Sequence, residues 1–144
     1  MATPDELVGF FQRHIVPIFF TLQREQDTQN FTVTTFVLSV ADHWFLITAG
    51  HCVSAIETLI KDHGYEVTRC LLIDSMGLGA MHPEPIPFAY KEAYPIFLSD
   101  ECAFDYGIIA ISPHYRRLLQ ANKVQPLNEE VWKSSRQKSI SMYS

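Results

Sequence analysis

The sequence has no apolar run long enough to cross a bilayer. Ile15 to Leu22 is apolar but interrupted by Pro17 and Thr21, and it is far shorter than the ~20 residues a helical span needs. Positive charge is also scarce. Eleven Lys and Arg stand against sixteen Asp and Glu, a formal net charge of −5, so nothing is built to neutralise a phosphate backbone and nucleic acid is not an expected partner. Cysteine is sparse and odd in number: Cys52, Cys70 and Cys102 lie at scattered spacings that make no disulfide framework and read as reduced, buried thiols. The opening Met-Ala-Thr-Pro-Asp-Glu lacks the basic start and unbroken apolar stretch of a secretory leader. The expectation is a cytoplasmic protein without membrane association.

Metal and phosphate motifs are missing too. His43, His51, Cys52, His63, Cys70 and His82 match no compact ligand spacing, and Gly77-Leu78-Gly79 lacks the further glycine of a strand-to-helix phosphate cradle. No metal and no cofactor are expected. What is present is a globular composition, 47% hydrophobic and only 19% charged, which excludes a disordered or coiled-coil chain. At 144 residues the chain is one domain, able to bury about two-thirds of the surface its unfolded form exposes.

Residues 1–14 read as an N-terminal helical extension, because Pro4, Asp5 and Glu6 precede Leu7, Val8, Phe10 and Phe11 at helical spacing. Ile15 to Gln23, Phe31 to Val40 and Trp44 to Thr48 are rich in β-branched and aromatic residues. The polar stretches 24–30 and 41–43 between them suit hairpin turns, so the pattern predicts an antiparallel meander. Val53, Ile56, Leu59 and Ile60 then fall on one helical face that ends before Gly64. Tyr65 to Ile73 reads as a strand, and the proline-rich 74–101 as a long loop with one edge strand. Phe104 to Ile111 reads as a strand buried on both faces, Pro113 to Gln120 as a helical turn and Val124 to Leu127 as a short strand. Residues 133–144 carry five serines and three basic residues and read as a disordered or aberrant tail.

Two segments carry chemistry. In Thr48-Ala49-Gly50-His51-Cys52 a histidine follows an apolar strand, and in Asp105-Tyr106-Gly107-Ile108-Ile109-Ala110-Ile111 a carboxylate begins one. A titratable group so placed loses hydration unless it finds a partner. A carboxylate that accepts from one imidazole nitrogen fixes the tautomer and leaves the other nitrogen free to take a proton.

These segments resemble the histidine and aspartate motifs of trypsin-like, chymotrypsin-fold serine peptidases, in the same order and 54 positions apart. The resemblance covers roughly residues 15–132. It implies a mainly β fold: one six-stranded antiparallel β-barrel, the N-terminal half of a chymotrypsin-like double barrel, with short helices. It also implies that His51 is a general base and Asp105 its orienting partner, with a peptide or protein as substrate. Cys52 matches the family's usual cysteine position, but no cysteine precedes it to form the pair found in secreted members.

The family's nucleophile is absent. A serine in a Gly-x-Ser-Gly setting is required because the glycines let backbone N–H groups approach the developing oxyanion. None of the ten serines has a glycine beside it, no cysteine stands in such a setting, and there is no glycine after Gly107. The expectation is a truncated or degenerate trypsin-like serine endopeptidase, inactive by itself, whose barrel exposes a face that favours self-association. The alternative is a non-catalytic module that binds a peptide or protein on a protease-like barrel.

Overall fold

A computed structural model describes residues 12–73, 85–93, 95–99 and 105–128, together with Thr3, Pro4 and Glu6. Most of the expected N-terminal helix, half of the 74–101 loop, Cys102 and the 133–144 tail lie outside the described residues. Of the N-terminal extension, Thr3 and Glu6 are described: the Glu6 amide donates to Thr3 Oγ1 at 3.2 Å and the Thr3 amide to Glu6 Oε2 at 3.3 Å. This reciprocal capping box is how a helix begins.

The fold is mainly β. One antiparallel sheet holds β1 (Ile15–Arg24), β2 (Asp27–Val40), β3 (His43–Thr48), β4 (Glu66–Leu72), β5 (Ile86–Pro87), β6 (Ile96–Ser99) and β7 (Asp105–Ala110), in the order β5-β4-β1-β2-β3-β7-β6. Six of these strands have four residues or more; β5 has two. Helix α1 (Gly50–Lys61) follows β3, and α2 (Pro113–Ala121) follows β7. Neither described helix is long and apolar enough to cross a membrane.

Period-two alternation decides which face is buried. Val16, Ile18, Phe20 and Leu22 of β1 point into the core, joined by Val33 and Val37 of β2, Trp44 and Leu46 of β3, Leu72 of β4 and Ile109 of β7. Burying each such side chain stabilises the fold by about 1.5–3 kcal/mol relative to leaving it in water. In β7, Gly107 and Ile109 are buried while Ile108 is half-buried, so the strand expected to be buried on both faces has one inner face.

Three further expectations are corrected. The polar stretch 24–30 is mostly strand, because only Glu25 and Gln26 make the turn and Asp27 to Asn30 pair back onto β1. Glu25 has a positive φ of 56°, which lets so short a loop reverse the chain. Val124 to Leu127 is not a strand but a single parallel bridge from Leu127 to Leu38. The sheet, finally, is not closed into a six-stranded barrel: β5 and β6 are its two edges. The physical reason is a divided strand. β5 pairs with β4 and β6 with β7, but Pro87, which has no N–H to donate, the 3₁₀ turn Tyr90–Glu92 and Pro95 interrupt the ladder between them. Residues 88–95 nevertheless carry the chain from one edge to the other. On the way Tyr90 buries its ring edge-on against Phe20, with 5.1 Å between centroids.

Candidate functional site

Helix α1 begins without help from its own sequence. Its N-cap is Ala49, which offers no side-chain acceptor, and the first turn contains no acidic residue. The acceptor comes from β7 instead. The His51 backbone N–H donates to Asp105 Oδ1 at 2.8 Å, and the His51 ring meets Asp105 Oδ2 through Nδ1 at 2.5 Å. One carboxylate thus caps the positive end of the helix and orients the imidazole at the same time. An ionised carboxylate only accepts, so neutral His51 carries its proton on Nδ1 and leaves the Nε2 lone pair free.

The register of the sheet dictates this meeting. β3 and β7 are antiparallel partners with Thr48 opposite Gly107, so the last residues of β3 lie beside the first residues of β7. A single residue, Ala49, separates β3 from α1, and Asp105 stands two positions before Gly107, on the same inner face. Thr48 Oγ1 donates to the Thr34 carbonyl at 2.8 Å and ties the end of β3 to β2. Both predicted site residues are therefore brought together, His51 inside the first turn of α1 rather than ahead of it. Burial does not force the contact. The side chains of His51 and Asp105 are 74% and 41% exposed, so the pair sits at a wet rim where an ion pair contributes little to stability.

An open, mainly apolar pocket of about 440 Å³ is lined by His14, Ile15, Thr34, Thr35, Phe36, Ile47, Thr48, Ala49 and Leu127, and by neither His51 nor Asp105. Two of its lining residues, Thr48 and Ala49, immediately precede α1 in the chain. Among the described residues no serine hydroxyl or cysteine thiol hydrogen-bonds the imidazole. Cys52, expected to be buried, is half-buried, packed against the margin of the core from the first turn of α1, whereas Cys70 is buried in β4. Burial pushes the Cys70 thiol up to about 12 from its ordinary 9.0. Among the described residues no three His, Cys, Asp or Glu side chains converge as metal ligands would.

A second polar pair on α1 was not visible in the sequence. Buried Glu57 accepts from the Tyr90 hydroxyl at 2.6 Å and meets Lys61 at 3.4 Å. Burial, and next the Glu57 hydrogen bond, push the Tyr90 hydroxyl far above its usual range, so it stays protonated and donating. The position of Glu57 on the inner face of the Val53 and Ile56 helix was the available signal, but its partner lies in a proline-rich stretch with no period to read. At the far end of the sheet, the Tyr65 hydroxyl bonds Asp27 and holds that carboxylate below its ordinary range, while Arg24 stacks on the Tyr65 ring at 4.6 Å.

Compared with known proteins, the chain matches no family model, no curated protein and no solved structure.

Proposed function

We propose that this chain is the base-bearing half of a chymotrypsin-fold serine endopeptidase, with His51 as general base and Asp105 as its orienter. The observation that carries the reading is the double acceptance by one carboxylate, 2.8 Å to the His51 amide and 2.5 Å to Nδ1. That arrangement leaves Nε2 ready to take a proton from an attacking hydroxyl. The half-barrel reading is supported by β5 and β6, which are consecutive in the chain yet occupy opposite edges of the sheet, and by Tyr90 between them, whose ring packs on Phe20 of β1.

The attacking group must come from outside this sequence, since no serine in it has a neighbouring glycine. The members of a catalytic triad act as a unit, so the chain alone is inactive toward peptides. A fluorophosphonate probe tests this: no labelling is expected, and a labelled serine would overturn the assignment of an incomplete site. The free thiols of Cys52 and Cys70 support a reducing, cytoplasmic setting.

The apolar pocket lined by Phe36, Ile47 and Ala49 favours a second reading, a non-catalytic module that holds an apolar side chain of a peptide or protein partner. Phe36, 38% exposed on the pocket wall, also offers a contact for self-association. The readings differ in what removing the imidazole does. His51→Ala leaves peptide binding intact in the module and abolishes any activity that a complementing second half restores in the peptidase.

A further inference from the structure

We propose that Gly107 is the positioning residue of the His51–Asp105 pair, and that it acts through Val53 by having no side chain. This rests on the reading of the pair given above and explains what holds it in register. A Cβ built on Gly107 would stand 2.3 Å from Val53 Cγ2, 3.2 Å from Val53 Cβ and 3.3 Å from Thr48 Cγ2. The first distance is far inside the ~3.5 Å at which carbon atoms attract. Val53 cannot swing aside, because it is 3% exposed and a β-branched residue in a helix is confined to essentially one rotamer. What must move is α1.

The helix and the strand each carry one half of the pair on the same short lever. Val53 follows His51 by two residues on α1, and Gly107 follows Asp105 by two residues on β7. At 3.6 residues per turn Val53 projects about 200° around the axis from His51, so the helix presses Val53 on β7 while His51 faces the rim. Relieving a 2.3 Å approach requires α1 to withdraw by about 1 Å. The same withdrawal stretches the Nδ1 contact of 2.5 Å and the amide contact of 2.8 Å to roughly the limit of a hydrogen bond. Asp105 then orients nothing, although every residue of the pair is still present.

The test is a size swap read by the ring ¹⁵N shifts of His51 at a pH where it is neutral. The wild-type chain is expected to show the Nδ1–H tautomer. In Gly107→Ala it should give way to a mixture of both tautomers. In Gly107→Ala with Val53→Ala it should return, because the remaining approaches of 3.2 and 3.3 Å ask for only a few tenths of an ångström. A merely structural role predicts the reverse order, since the double variant has lost core packing and unfolds at lower temperature than wild type. Wild-type shifts retained in folded Gly107→Ala would overturn the proposal. If Gly107→Ala does not fold, the double variant decides: folded with the Nδ1–H tautomer supports the proposal, and unfolded or without that tautomer overturns it. Failure of the pairing itself is separate, for then the wild-type chain shows no preference for Nδ1–H and Asp105→Asn changes nothing.

Discussion

Helix α1 is tied to the rest of the molecule by two polar pairs of nearly equal length and opposite surroundings. Glu57 and Tyr90 meet at 2.6 Å inside the core, 9% and 4% exposed. His51 and Asp105 meet at 2.5 Å at the rim, 74% and 41% exposed. In the interior a polar group without its partner forfeits its hydration, so the buried pair is an obligation of the fold. At the rim water can replace either partner at little cost, so the exposed pair is not needed to hold the fold together. Its chemical consequence is a fixed tautomer on an imidazole whose side chain is 74% exposed.

Breaking the buried pair should have the largest effect. Tyr90→Phe removes the hydroxyl and leaves the Glu57 carboxylate with Lys61 as its partner among the described residues, and should cost about 1–3 kcal/mol, seen as a lower urea midpoint with an unchanged slope. A loss no larger than that of a surface substitution would erase the contrast between the two pairs.

Alkaline pH should sharpen the contrast next. The Cys70 thiol ionises at about 12 in the native state against an ordinary 9.0, and Tyr90 is raised above its ordinary 10.0. A raised native pKa means the unfolded chain releases its protons first. Stability is then fully present below about pH 9 and falls as pH rises toward 12. Cys70→Ala should flatten the onset of that fall, as measured by urea unfolding at pH 8 and pH 10.5, whereas Asp105→Asn should leave its slope unchanged.

At the rim, Asp105→Asn should change stability by less than about 1 kcal/mol, as is usual for exposed pairs, with the thermal midpoint as readout. A loss comparable to that of Tyr90→Phe would make Asp105 a structural cap first and an orienter second. The smallest expected effect is on association. Sedimentation velocity at high concentration should show weak self-association that Phe36→Lys reduces, and a strictly monomeric wild-type chain would remove the exposed pocket wall from the account.

The meander, the helix after His51 and the meeting of His51 with Asp105 were legible because each depends on local pattern or on a motif. Val16, Ile18, Phe20 and Leu22 alternate on one face, β3 runs within two residues into His51, and β7 begins with Asp105. What was not legible depends on partners far away in sequence. That the sheet stays open depends on which partners β5 and β6 find, with Pro87 and the Tyr90–Glu92 turn between them, and composition could mark that region only as loop. The polar residues 27–30 pair as strand because β1 offers them a ladder, a tertiary gain that outweighs their turn-forming preference. Gly107 reads in the sequence as an ordinary strand glycine. Its role requires knowing that Val53 sits above it.

The most direct measurement is the pair of ring ¹⁵N shifts of His51 in the wild-type chain and in Asp105→Asn. A neutral imidazole protonated on Nδ1 is expected in the wild type, and a mixture of tautomers once the carboxylate is gone. Identical shifts in the two proteins would mean that Asp105 does not orient His51, and the assignment of a general base and its partner would be contradicted.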